Sequence, residues 1–279
     1  MPDIDNYAIY NDRMRRSMWD KAFFMDKVPG TELIIDYGCA DGSLIRFLHE
    51  LFPSMRFIGF DIDPSMVGAA NALQTENCWF FSDTAAMLQQ LRALDVDPRR
   101  ITINFSSVLH EIFHYDCDRA MITRLIEDVN PHYLVVRDMM FHSGDPDASA
   151  PPDAQAQIRR VLPAHQVESF ERCWGSLSLR RNLAHLILKY KYTENWEREC
   201  QENYFSYTMD DLLALLDPDA RCSPILLHRY ILPWCRHDAR NRLGIDMGDE
   251  FTTHFSLILQ RADAAPTISL NNHPSRRTL

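Results

Sequence analysis

The chain has 279 residues, 46% hydrophobic and 24% charged, enough to bury one large core or two smaller ones. A net charge of −10 and a pI near 5.5 argue against a protein that grips nucleic acid or a membrane surface by charge alone. The seven cysteines, an odd number with no CxxC pair, argue against a disulfide framework and suit a reducing cytoplasm, and no apolar run is long enough to cross a membrane.

In chain order, residues 1–30 form an N-terminal helical cover. Tyr10, Met14, Met18, Phe23 and Phe24 line its apolar side, and Pro29-Gly30 stops it. No signal peptide is read there, so a cytoplasmic location is expected. Leu33 to Ile35 is a short apolar run of the kind a doubly covered parallel strand needs. It ends in Asp36-Tyr37-Gly38-Cys39-Ala40-Asp41-Gly42, and a helix over 43–51 follows. Asp36 aims a carboxylate into the crevice where open α/β sheets bind ligands. A pyrophosphate on that helix N-terminus meets repulsion from Asp36 and Asp41, whereas a cationic amino-acid ligand does not. The next strand, Arg56 to Phe60, runs into Asp61-Ile62-Asp63-Pro64-Ser65-Met66. Asp61 stands where a ribose-binding acid is expected, or it caps the helix starting near Pro64, and the two roles are compatible.

These two motifs resemble those of the class I S-adenosylmethionine (SAM) dependent methyltransferases. The first is an acid before a Gly-x-Ala-x-Gly turn, and the second an acid followed five residues on by Met. The resemblance implies SAM as cofactor. It implies cofactor contacts from Asp36, Gly38, Cys39, Ala40, Gly42, Asp61, Ile62 and Met66, with Ile62 and Met66 on either side of the adenine. It also implies that the leading helix lies over the cofactor, with Tyr7, Tyr10 and Met14 near its methionine end; the plain alternative is that they pack on the sheet.

A third strand, Cys78 to Phe81, is followed by Asp83, which accepts from the adenine amino group in the resemblance or simply caps the helix over 85–94. The fourth strand, Ile101 to Phe105, leads into Ser106-Ser107-Val108-Leu109-His110-Glu111-Ile112, which resembles the family's fourth motif. Ser106 and Ser107 then offer hydroxyls to the SAM amine, and His110 and Glu111 orient a substrate or take its proton. The bland reading packs His110 under the next helix and makes Glu111 its cap. His110 and His114, at i and i+4, suit a metal on a helix face together with Glu111, but no further cluster completes the set and no metal is expected. The chain lacks the Pro-Pro motif of amino methyltransferases for nucleic-acid bases and the Pro-Cys pair of cytosine carbon-5 enzymes. A helix over 116–130 precedes the fifth strand, Tyr133 to Asp138, whose terminal Asp138 binds or deprotonates a substrate, or pairs with a nearby arginine.

Residues 146–205 are longer than a simple crossover needs and read as an inserted helical lid, with helices from about 153, 163 and 178. Eight Lys/Arg against four Asp/Glu over 158–198 make it locally basic. Tyr192, Trp196, Glu199 and Tyr204 are its candidate substrate residues, as aromatics interleaved with acids line small-molecule pockets and also stack unpaired bases. A capped helix follows Thr208. Strands over 224–232 and 251–259 then close as an antiparallel hairpin, with a polar loop over 236–249 and a disordered tail over 263–279.

The expected architecture is thus α/β: a three-layer Rossmann-like methyltransferase sheet, mostly parallel with an antiparallel C-terminal hairpin strand, plus a helical insertion. Residues 31–145 and 206–262 form the core. The resemblance implies methyl transfer to an O or N nucleophile of a small molecule. An RNA methyltransferase using the basic lid and a non-catalytic SAM-binding regulator are the alternatives. Oligomeric state is not legible.

Overall fold

The structure, a computed structural model, describes residues 17–73, 75–142, 145 and 147–262. Seven strands form one sheet in the order β3-β2-β1-β4-β5-β7-β6. They are β1 (Leu33–Tyr37), β2 (Arg56–Phe60), β3 (Cys78–Phe81), β4 (Ile101–Ser106), β5 (Tyr133–Met139), β6 (Cys222–Tyr230) and β7 (His254–Arg261). The first five run parallel, and β7 is antiparallel to both of its neighbours.

Side chains alternate across each strand, so the sheet has two different faces. On one face Leu33, Ile35, Ile103, Phe105, Leu134 and Val136 form a core with α4 (Thr84–Leu94), α5 (Leu109–Tyr115), α6 (Arg119–Val129) and α11 (Met209–Leu216). On the other, Ile34, Phe57 and Val135 pack against α1 (Met18–Lys21), α2 (Ser43–Leu51) and α3 (Pro64–Asn71). The strand order reverses between β1 and β4, which opens a crevice beyond their carboxyl ends.

The inserted segment is helical: α7 (Pro152–Val161), α8 (Ala164–Trp174), α9 (Arg180–Lys189) and α10 (Trp196–Gln201). It has its own apolar core, built on Ile158, Phe170, Leu183 and Leu186. That core also takes in Leu232, Cys235, Leu243 and Phe251, which corrects the expected polar loop over 236–249. The segment carries α12 (Pro233–Asp238) and short helical turns that pack on the insertion. Its apolar residues are spaced among Arg and Asp, so its composition hid a buried face. The final strand begins three residues later than expected because the turn Asp249–Phe251 is helical and buries Phe251.

No helix among the described residues is long and apolar enough to cross a membrane. The expected tail, and Tyr7, Tyr10 and Met14, lie outside the described residues.

Candidate active site

The glycine turn after β1 is shaped by packing. Gly38 and Gly42 both have positive φ, 81° and 71°, which L side chains rarely adopt. A Cβ on Gly38 would stand 2.6 Å from Val108, and one on Gly42 2.6 Å from the Phe80 ring. The turn is therefore pressed against β3 and the segment after β4. Asp61 ties it down: its Oδ2 accepts from the Ala40 N–H at 2.7 Å and its Oδ1 from the Asp63 N–H at 3.0 Å. Each carboxylate oxygen keeps a second lone pair for a ligand hydroxyl.

Asp36 shares its face of β1 with Ile34, so it points toward α1. Register places it beside Asn104, whose Nδ2 donates to it at 2.7 Å. Burial raises its pKa to about 6, although Asn104 and the nearby Lys21 ammonium oppose this. Lys21, itself buried, is lowered to about 8 by burial and by Arg137. The next residue on that face of β4, Ser106, is buried with an Oγ that has no hydrogen-bond partner among the described residues. Arg137, on the same face of β5, donates through Nε to Asp20 at 2.6 Å and through Nη1 to Ser107 Oγ at 2.8 Å. Asp20 also accepts from the Tyr230 hydroxyl at 2.9 Å. A buried polar band thus crosses the sheet beneath α1.

The opposite face of β5 carries Asp138. Its carboxylate accepts from the His110 backbone N–H at 2.9 Å and lies 2.7 Å from His110 Nδ1. His110 Nε2 meets Glu202 Oε1 at 2.9 Å. Burial works against a charged ring here, but the two carboxylates outweigh it and raise His110 to about 10. Glu111 is raised to about 7 by burial and by Glu202. Arg198 lies 3.4 Å from Glu111, 3.7 Å from Glu199 and 3.8 Å from Glu202. Lys189, fully buried, donates to the Glu199 and Glu202 carbonyls and sits 3.9 Å above the Tyr204 ring. His110, Glu111, Arg198, Glu199, Glu202 and Tyr204 line a cavity of about 80 Å³ between sheet and insertion, together with Tyr192 and Trp234.

Several expectations are corrected. His110 is not a free base, because both ring nitrogens face carboxylates and the side chain is 4% exposed. Asp138 is fully buried against His110 and the Met139 N–H, and does not reach the crevice. Asp83 is exposed and caps α4, accepting from the Ala86 N–H at 2.8 Å. Trp196 does not line the cavity: its indole N–H donates to Ser169 Oγ on α8. Tyr192, Glu199 and Tyr204 do line it, and the Tyr204 hydroxyl donates to Glu199. Ile62 is 54% exposed at the crevice, whereas Met66 is buried. The Cys39 thiol is buried and raised well above its usual range by burial and by Asp36.

The basic character of the insertion does not form one surface. Arg159 pairs with Glu171, Lys191 with Asp238, and Lys189 and Arg198 are buried. His110, Glu111 and Glu202 also approach one another, Glu202 coming from the insertion, 92 positions from His110, and His114 is not part of that group. Lys21, Asn104, Lys189 and Arg198 had no role of their own in the sequence reading, and Glu202 stood there only as one of the acids interleaved with the insertion's aromatics. The only local signal was Glu199 and Glu202 three apart, one face of a helix.

No family model matches the chain, and no curated protein matches it. Among solved structures it is similar to the plantazolicin methyltransferase BamL in complex with a triazolic desmethylPZN analog and SAH. Identity is 13% and the TM-score 0.48, over 90% of this chain and 88% of that one. It is similar to a SAM-dependent methyltransferase from Anabaena variabilis at 14% identity and a TM-score of 0.48, over 94% and 97%. Magnesium protoporphyrin IX methyltransferase from Synechocystis PCC 6803 with bound SAH matches at 14% identity and a TM-score of 0.44, over 94% and 90%. The strand order defines the class: the fold is a Rossmann-like α/β sheet, parallel from β1 to β5 and closed by an antiparallel hairpin, with a helical insertion.

Proposed function

We propose that the protein is a SAM-dependent methyltransferase acting on an oxygen or nitrogen of a small molecule. One observation carries the reading: acids end both β1 and β2, at either side of a tight glycine turn and beside the reversal of strand order. That arrangement suits a sulfonium nucleoside better than a phosphate. The donor set fits. Asp61 takes the ribose hydroxyls with its spare lone pairs, Ser106 Oγ is a buried hydroxyl without a partner among the described residues, and Ile62 is bare for the adenine. When bound, the cofactor supplies an electrophilic methyl group.

The chain supplies proximity, orientation and charge. Asp36 and Lys21 are both buried beneath the crevice and influence each other electrostatically, while Asp20 holds α1 over it through Arg137 and Tyr230. His110 is a positioning residue: it links Asp138 on the sheet to Glu202 on the insertion and so fixes one wall of the cavity. Glu111 reaches that wall with one oxygen toward Arg198 and meets the acceptor. A cavity of about 80 Å³ suits the reacting end of a small acceptor. Seven free cysteines suit a reducing compartment, and we place the protein in the cytoplasm.

The test is calorimetric titration with SAM and with NAD, followed by a labelled-SAM screen of metabolite and RNA acceptors. SAM binding and SAH formation with a metabolite are expected. NAD binding, or no affinity for SAM, overturns the reading, and turnover on RNA alone overturns the substrate class.

A further inference from the structure

We propose that His110, Glu111 and Glu202 form a binding site for one divalent first-row metal ion, with Mn²⁺ as its representative. Their ligand atoms, one imidazole nitrogen and two carboxylate oxygens, lie within 4.8 Å of one another. They converge from two parts of the fold, His110 and Glu111 from the first turn of α5 and Glu202 from just beyond α10.

The histidine is oriented as a ligand is. Asp138 Oδ1, 2.7 Å from Nδ1, fixes a proton there and aims Nε2 at Glu202, and a bound ion takes the place of the Nε2 proton that Glu202 otherwise holds. A carboxylate behind a histidine in this way sets the tautomer and ring angle of metal-bound imidazoles. The spacing also suits an ion. Two donors about 2.1 Å from one ion, at right angles, stand about 3 Å apart. Nε2 and Glu202 Oε1 are 2.9 Å apart, one edge of such a shell.

Arg198 is the obvious competitor, and it leaves room. It approaches Glu202 through Oε2 at 3.8 Å, whereas Oε1 faces the histidine. It approaches Glu111 through Oε1 at 3.4 Å, and the second oxygen makes no hydrogen bond among the described residues. The guanidinium therefore keeps one oxygen of each carboxylate while the other turns to the ion. Charge favours the same conclusion. Glu111, Asp138, Glu199 and Glu202 are four acids, set against Lys189 and Arg198. With the His110 ring protonated in the ion's absence, one negative charge stays uncompensated there, and buried charge imbalance is costly. A nitrogen-and-oxygen set with no thiolate suits Mn²⁺, Fe²⁺ or Zn²⁺ and not Cu⁺. The adjoining cavity has space for waters or an acceptor oxygen to complete the shell.

The site does not depend on the cofactor reading. The test uses the full chain, stripped with chelator and titrated with Mn²⁺ alone, reading free Mn²⁺ by electron paramagnetic resonance. One ion per chain is expected, with a Kd below about 100 µM, and the melting temperature should rise with added Mn²⁺. Glu111→Gln and Glu202→Gln should each weaken binding about tenfold or more, and Asp138→Asn by about tenfold through the lost orienting contact. If Glu202→Gln fails to fold, Glu111→Gln decides, because its side chain sits at the cavity edge with 14% exposure. No Mn²⁺ bound at millimolar concentration, or Glu111→Gln binding as tightly as the unaltered protein, overturns the site. SAM affinity is measured on the same samples: SAM bound without Mn²⁺ sinks the metal site alone, and Mn²⁺ bound without SAM sinks only the cofactor reading.

Discussion

Asp36 and Asp61 end adjacent strands, yet they live in different surroundings. Asp36 is sealed under α1 with Asn104 and Lys21, whereas Asp61 holds two backbone N–H groups and keeps an open side. The difference makes Asp61 the residue on which ligand affinity depends. Asp61→Ala should weaken SAM binding by about 1–3 kcal/mol, the worth of charged hydrogen bonds. Calorimetry reads this directly, and an unchanged affinity would remove Asp61 from the site. Trp196 behaves in the opposite way. Its indole ties α10 to α8 through Ser169, so Trp196→Ala should cost about 1–3 kcal/mol of stability and leave SAM affinity alone. Urea unfolding with parallel calorimetry separates the two, and a lost SAM affinity with normal stability would contradict it. Asp61 was legible in the sequence because its spacing from the glycine turn is local. The pairing of Glu202 with His110 was not, because only the insertion's path brings the two together.

Among the elements, α1 has the most to lose from one change. This helix of four residues is held by its Asp20 to Arg137 and Tyr230, with Lys21 near Asp36. Arg137 uses two arms of its fork, Nε to Asp20 and Nη1 to Ser107, so Lys cannot replace it. Arg137→Lys and Arg137→Ala should both destabilise the protein, the latter by about 3–5 kcal/mol, because Asp20 is left without its buried partner. Hydrogen exchange at Met18–Lys21 should rise before that of β1. Stability equal to the unaltered protein in Arg137→Lys would refute the fork argument. The strands were readable as apolar runs, because a strand covered on both faces has no polar positions to confuse it. The packing of 236–249 on the insertion was not, since its apolar residues follow no single period.

For the molecule as one cooperative unit, pH dependence includes a half-buried imidazole that does not line the cavity. His142 is lowered to about 4 by burial and by Arg229, and its Nε2 is buried without a hydrogen-bond partner among the described residues. The folded chain refuses a proton that the unfolded chain accepts near pH 6.5. Stability from this group is therefore present above about pH 6.5 and lost as pH falls toward 4. Relative to the unaltered protein, His142→Phe should gain about 1 kcal/mol between pH 7.5 and 5.5, a figure reduced for partial solvent screening. Denaturant midpoints at the two values measure it, and a difference that does not move with pH would count against a neutral ring.

By itself the chain determined the parallel strands, the two glycines of the turn, the acids at the ends of β1 and β2, and the helices of the insertion. Each is a local property, set by periodicity, a steric demand at one backbone position or the spacing of a few neighbours. Only the tertiary structure decided what His110, Asp138 and Asp83 face, and that Glu202 and Arg198 share a wall with Glu111. Those contacts depend on which face of a strand a residue takes once the sheet is registered, and on where a sixty-residue insertion folds back, and neither is encoded within any short stretch of the chain.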